Sequence, residues 1–253
     1  MKVYQPATSI TAKVKRRLVP FQARRSISVS LDRPIVSFSF DDCPRSVMEN
    51  ALYPLEKAGW LATVYIAMGL CGTTNHLGLH MSREDVRALH ENGHEIGDHT
   101  YSHFDGSAVP LEKMLIDIDK NQAEIASLNL PQSETFAYPY GEVTPALKKA
   151  LEARFKGSRG IKGNSHETSV DLNQIGSNRL YVGDNFDLLK KQISTLKDNP
   201  GWITIFTHDV RETPSEFGCT PAQFQAAIEA VKDCGAEVMT IAEAIKTLEA
   251  KNA

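Results

Sequence analysis

The chain has 253 residues and a mass of 28.0 kDa, a length that serves one large domain or two small ones and that α/β barrels use whole. Hydrophobic residues at 42% and charged residues at 23% are ordinary globular values and exclude a disordered or low-complexity chain. A net charge of −3 and a pI near 6.2 argue against nucleic-acid binding by the chain as a whole, and no apolar run is long enough for a membrane span.

The charge is unevenly placed. Residues 1–33 carry Lys2, Lys13, Lys15, Arg16, Arg17, Arg24, Arg25 and Arg33 against Asp32, a net of +7 that leaves −10 on residues 34–253. The commoner reading of such a run is a solvated strand or arm; the other is contact with an anionic partner, a lipid surface or a phosphate. The segment lacks the apolar core of a signal peptide, and Cys43, Cys71, Cys219 and Cys234 have no CxxC spacing. Scattered reduced thiols in a cytoplasmic protein are the expectation. No internal repeat or linker interrupts the rest, so residues 1–33 read as a basic extension and 34–253 as one domain.

From Ile35 onward, short apolar runs alternate with helical patterns. Strands are expected at Ile35–Phe40 and Ala62–Ile66, both β-branched or aromatic. Ser82 and Asp85 then start a helix carrying Val86 and Leu89, which Gly93 stops. Further strands are expected at Glu95–Asp98, Thr135–Tyr138, Leu180–Val182 and Ile203–Thr207. Thr220, Pro221 and Gln223 form an N-cap, an N1 proline and a capping-box partner, and Gly235 ends that helix. A strand at Glu237–Met239 and a helix opened by Thr240 and Glu243 complete the chain. This alternation predicts an α/β fold with a largely parallel sheet, barrel or open, and an active site at the carboxyl ends of the strands.

Polar chemistry collects at those ends. The first strand runs into Asp41-Asp42, the third into Asp98-His99-Thr100-Tyr101-Ser102-His103, the fourth into Tyr138-Pro139-Tyr140-Gly141, and the sixth into Thr207-His208-Asp209. On a helical turn the four-residue spacing of His99 and His103 puts both imidazoles on one face. Two histidines and one carboxylate, Asp41 or Asp42, make a metal set with open positions for water, and the other carboxylate is left as a base. His208 leaves an apolar run and suits a general acid or base. His90 and His94 straddle the Gly93 stop, and His76, His80 and His166 lie in polar loops; all five are read as structural. No G-x-S-x-G and no phosphate-binding loop is present.

Ser39-Phe40-Asp41-Asp42, His99-Thr-Tyr-Ser-His103, Phe136-Ala-Tyr-Pro-Tyr140-Gly141 and the late His208, in this order, resemble the polysaccharide deacetylases of carbohydrate esterase family 4, the NodB-homology family. The resemblance covers about residues 34–248. It implies a distorted (β/α) barrel of about seven strands, with the basic extension packed on or beside it. It also implies one divalent metal ion, usually zinc and in some relatives cobalt or nickel, on Asp42, His99 and His103. Asp41 would then be the general base, Tyr140 the backbone donor to the oxyanion, and His208 the acid that protonates the leaving amine. Tyr138, Tyr101 and Arg179 are the expected substrate-binding residues.

Three departures stand out. Cys43 occupies a usual glycine position, beside a metal ligand. Ala137 falls where many members have an arginine paired with the base. The Asp-x-x-Asp-Trp motif that tunes the histidine acid is missing, with Asp171 or Arg179 as substitutes. The resemblance points to an N-deacetylase of an acetylated sugar, with a cytoplasmic precursor of a surface glycan such as an O-antigen as the expected substrate. Its alternatives are a hydrolase of non-sugar, ureide-type amides and an inert glycan-binding barrel. The loops 69–81, 160–176 and 211–219 carry no readable specificity.

Overall fold

The computed structural model describes residues 6–163 and 165–252. Residues 1–5 of the expected extension, Lys2 among them, and Asn164 of the 160–176 loop lie outside the described residues.

Helix α1 (Ile10–Leu18) is capped by the Ser9 hydroxyl, which accepts Ala12 N at 3.2 Å, and passes through the turn Val19–Phe21 to β1 (Ser26–Ser28). Then follow β2 (Ile35–Asp41), a π turn at Met48–Leu52 leading into α2 (Tyr53–Lys57), β3 (Thr63–Ile66), the hairpin β4 (Thr74–Asn75) and β5 (Gly78–Leu79), α3 (Arg83–Glu91) and β6 (Glu95–Asp98). Next come α4 (Leu111–Ala126), β7 (Thr135–Ala137), α5 (Pro145–Leu151), β8 (Gly157–Arg159), β9 (Ser169–Asp171) and β10 (Asn178–Arg179). The chain closes with α6 (Phe186–Thr195), β11 (Trp202–Thr207), α7 (Pro221–Cys234), β12 (Glu237–Val238) and α8 (Ile241–Asn252). The expected caps form. Ser82 with Asp85 and Thr220 with Gln223 make complete capping boxes, and Gly235 ends α7 at a left-handed φ of 71°.

Seven parallel strands lie in the order β10-β11-β2-β3-β6-β7-β8, with β12 added beside the start of β2. The two edges approach each other through the segment after β9. Ile175 N donates to Ser158 O and Gly160 N donates to Ile175 O, both at 2.8 Å, and three residues later the chain enters β10. The result is the distorted barrel expected, with one face of each strand turned inward. On β2, Val36, Phe38 and Phe40 pack outward on the helices, with Phe224 of α7 at 5.6 Å from Phe38 and 5.7 Å from Phe40. Ile35, Ser37, Ser39 and Asp41 take the opposite face, as the two-residue period requires. The buried Ser37 hydroxyl accepts Trp202 Nε1 at 3.0 Å. Glu95 caps α8, taking Ala242 N at 3.0 Å and the Thr63 hydroxyl at 2.7 Å.

Two expectations need correction. The strand placed at Leu180–Val182 lies earlier, at Asn178–Arg179, where the ladder with Ile205 and Phe206 runs; Val182 N instead bonds Gly218 O at 2.7 Å in a loop. Strand β8 was not foreseen, because its residues Gly157, Ser158 and Arg159 are buried inside the barrel without an apolar pattern. β1 pairs antiparallel with β9, and Lys148, wholly buried on α5, joins Asp171 at 2.9 Å and Val19 O at 3.4 Å.

Candidate active site

The carboxyl ends of β2, β6, β7 and β11 open into one cleft of about 440 Å³. Asp41 ends β2, and the next two residues leave the strand in left-handed conformations, Asp42 at φ 63° and Cys43 at φ 58°. For residues with a Cβ this costs roughly 1–2 kcal/mol each, strain of the kind found where side chains must be aimed. The turn sends Asp42 into the cleft and Cys43 away from it. The Cys43 thiol is buried in the core, 3.6 Å from Tyr65 O, where burial pushes its pKa well up. Cys43 is therefore a core residue and not a ligand.

His99 follows β6, and His103 comes four residues later, but not on a helical turn as expected. Thr100 and His103 are left-handed at φ 59° and 54°. One local and one more distant carboxylate fix the bend: Asp98 Oδ1 accepts Thr100 N at 2.8 Å, and Asp117 of α4 accepts Ser102 N at 2.8 Å and the Ser102 hydroxyl at 2.7 Å. The imidazoles still converge, with Nε2 atoms 3.1 Å apart. His99 Nδ1 lies 2.8 Å from the carbonyl of Ala137. A carbonyl only accepts, so Nδ1 carries the proton and the Nε2 lone pair points into the cleft.

Asp42 Oδ1 lies 3.0 Å from His103 Nε2 and 3.5 Å from His99 Nε2. Among the described residues this buried oxygen has no partner in good hydrogen-bond geometry. Burial holds the His99 pKa down at about 4. For Asp42 burial works the other way, but the His103 and His99 imidazoles hold its carboxyl well below the usual range. Against the effect of burial, Asp42 raises the pKa of His103. An orphaned buried carboxylate oxygen and two imidazole nitrogens within 4.8 Å of one another form a donor set that a divalent cation satisfies. The residues fit the expected metal.

Asp41, the neighbouring carboxylate, faces Arg159, whose Nη2 bonds both of its oxygens. Both residues are buried. Burial opposes the charge on Asp41, yet Arg159 leaves its pKa below the ordinary value. The register explains the absent arginine at Ala137: in the β7–β8 ladder Ala137 lies directly opposite Arg159, so the cation comes from the adjacent strand on the same inward face. The rings of Phe206 and Tyr65 flank the guanidinium at 4.5 and 5.2 Å. Sequence reasoning missed Arg159; the signal was a lone arginine in the short polar stretch Lys156–Arg159, and its partner is 118 residues away.

His208 follows β11 directly and lines the cleft. Its Nδ1 is 3.2 Å from Phe217 O and 3.4 Å from the Tyr181 hydroxyl. The adjacent Asp209 is wholly buried and shapes the 211–219 loop, accepting Arg211 Nε at 2.7 Å, Ser215 N at 2.9 Å and the Ser215 hydroxyl at 2.5 Å. That loop presents Phe217 O to His208. Neither expected substitute for the missing motif bonds His208. Asp171 is taken by Lys148 and by Arg25 N at 2.9 Å, and Arg179 pairs with Asp184 at 3.0 Å.

Tyr140 lines the cleft in a left-handed turn at φ 59°, its ring edge-on to His103 at 4.4 Å. Tyr138 and Arg179 also line it, Tyr138 with its hydroxyl on Asn173 O at 2.8 Å. Tyr101 does not: the left-handed turn at Thr100 turns it aside, where Lys120 covers its ring at 3.5 Å. His76, read as a loop histidine, does line the cleft, as do Glu142 and Arg16, joined at 2.5 Å.

The profile of the polysaccharide deacetylase family matches residues 28–155. No curated protein matches the sequence. Among solved structures, a family 4 acetyl xylan esterase from Clostridium thermocellum in complex with cobalt is 20% identical, with a TM-score of 0.58 over 85% of this chain and 92% of that one. A peptidoglycan N-acetylglucosamine deacetylase is 21% identical, with a TM-score of 0.54 over 88% and 93%. A mutant with restored activity of a pseudoenzyme from carbohydrate esterase family 4 is 16% identical, with a TM-score of 0.56 over 87% of this chain and 70% of that one. At these identities the likeness is one of fold.

Proposed function

Because the chain belongs to the polysaccharide deacetylase family, whose members are metal-dependent amide hydrolases, we propose that it removes acetate from an N-acetylated sugar, using Asp41 as base and His208 as acid. The observation that carries this reading is the pairing of two buried sets: Asp42, His99 and His103 around an unbonded carboxylate oxygen, and Asp41 held by Arg159 beside them. An inert barrel has no use for either. A ureide hydrolase that works without metal would not need the first.

A divalent ion on Asp42, His99 and His103 would supply a Lewis acid that acidifies water and polarises the acetyl carbonyl; zinc is the ion proposed, with cobalt or nickel as its alternatives. The chain supplies the rest. Asp41, kept ionised by Arg159, takes a proton as water attacks the carbonyl carbon. The backbone N–H of Tyr140 is the proposed donor to the oxygen that gains charge. His208 donates its Nδ1 proton to Phe217 O, so the form that acts as the acid is the doubly protonated imidazolium, which gives its Nε2 proton to the nitrogen as the C–N bond breaks. An amide nitrogen cannot leave as an anion. The products are acetate and a free amine.

The proposed substrate is a precursor of a surface glycan, such as an O-antigen, handled in the cytoplasm. Four unpaired cysteines, two of them buried in the large core cluster beside Cys43, accord with a reducing compartment. Acetate release from a panel of N-acetylated amino sugars tests the reading. The wild type is expected to turn over at least one of them and Asp41→Asn none. Turnover of a ureide with no acetate from any sugar would replace it.

A further inference from the structure

Helix α1 carries a feature that the catalytic reading does not use. None of its residues is buried, yet it is apolar along one side. Ile10 is 81% exposed, Val14 47% and Leu18 50%, and Phe21, just past the helix end, is 77% exposed. At about 100° per residue, Ile10, Val14 and Leu18 fall within an arc of roughly 80°. Ala12 and Arg16, the half-buried residues of the helix, lie about 180° from the middle of that arc. The apolar stripe is therefore turned away from the barrel. Lys13 and Arg17 flank it on one side and Lys15 on the other, all exposed.

The inward side of α1 is firmly held. Arg16 reaches Glu142 at 2.5 Å and Ala7 O at 2.7 Å, and Lys162 Nζ donates to Arg16 O at 2.8 Å. Arg16 and Pro6 line the catalytic cleft. The stripe thus sits on a helix fixed at the cleft wall.

We infer that α1 and Phe21 form a docking surface for an anionic lipid bilayer. A short helix with exposed Ile, Val, Leu and Phe between cations is suited to lying in the headgroup region. Its apolar side chains insert, while Lys13, Lys15 and Arg17 extend their stems along the acyl boundary and set their charges among lipid phosphates. Charge orients the molecule: Lys13, Lys15 and Arg17 face the anionic surface, and residues 34–253, with a net of −10, are repelled by it. Because Arg16 is on the opposite side of α1 from the stripe, docking holds the cleft wall about one helix diameter, roughly 10–12 Å, from the bilayer. The substrate class that follows, an acetamido sugar on a lipid carrier, rests on the proposed deacetylation; the docking surface does not.

The test is co-flotation of the full chain with phosphatidylcholine vesicles with and without phosphatidylglycerol. Wild type is expected to float only with the anionic vesicles. The combined Ile10→Ser, Val14→Ser, Leu18→Ser and Phe21→Ser variant is expected to lose at least tenfold in partitioning, since each inserted side chain contributes roughly a factor of ten. Lys13→Glu with Arg17→Glu is expected to lose binding as well. Unchanged thermal unfolding of both variants shows that the fold is intact. No flotation of wild type with anionic vesicles overturns the inference. So does binding that the serine variant retains in full and that heparin matches, because a soluble polyanion then suffices. Flotation without acetate release leaves docking standing and removes the catalytic reading; acetate release without flotation does the reverse.

Discussion

Arg159 is the residue on which the account of the base depends. Its guanidinium and the Asp41 carboxylate are both buried and bonded to each other. Arg159→Ala leaves that carboxylate in the barrel without its cation. Breaking one side of a buried pair costs about 3–5 kcal/mol. At 1.36 kcal/mol for each factor of ten, the same energy felt as lost ionisation of Asp41 is roughly 10²–10⁴-fold in kcat. Arg159→Lys keeps the charge but loses the planar fork, so it is expected to fall between the two. Arg159→Ala combined with Ala137→Arg returns a guanidinium to the same face from the neighbouring strand, about 4.8 Å away, and is expected to recover at least tenfold over the single variant. The assay is acetate release under saturating substrate, with KM followed in parallel and expected to change little. Turnover of Arg159→Ala equal to wild type, in a protein that Asp41→Asn inactivates, would refute the reasoning.

Other outcomes follow from the same geometry. His208→Gln is expected to lower kcat on an N-acetyl sugar by roughly 10²–10⁴-fold and to spare an activated aryl acetate, whose leaving group needs no proton; equal losses on both would contradict the acid role. Phe224→Ala opens a cavity against Phe38 and Phe40, at a cost of about 3–5 kcal/mol and a fall in Tm of roughly 6–15 °C by scanning calorimetry. Burial raises the pKa of Glu95 above its ordinary value of 4.5. The folded state therefore holds that proton to higher pH than the unfolded state, and stability falls as pH rises from about 4.5 through the raised value. Unfolding followed across that window is expected to show a flatter pH dependence for Glu95→Gln than for wild type.

The sequence made the site legible wherever an apolar strand ends in a reactive side chain. Ile35–Asp41 and Trp202–Thr207 are fully buried runs, and the residues after them are the ones placed in the cleft. Arg159 was illegible for the opposite reason. β8 is short, its side chains are polar, and the charge that makes burial of its arginine tolerable lies on the distant β2. The His99–His103 spacing was informative, but the helical turn read from it was wrong. The bend is imposed by Asp98 and Asp117, and the second of these arrives on α4. The place of Cys43 was not legible from its position beside Asp42: the left-handed backbone at both residues leaves the Asp42 carboxylate at the cleft and the Cys43 thiol in the core. The exposed stripe on α1 was hidden by the basic residues among which it lies.

Metal content, measured by mass spectrometry on tag-free protein prepared without added metal, tests the central claim most directly when wild type is compared with His103→Ala. The account predicts about one divalent ion per chain, lost in the variant, because His103 Nε2 is one of the nitrogens beside the unbonded Asp42 oxygen. Negligible metal in the wild type, with no uptake of zinc, cobalt or nickel on titration, would contradict it.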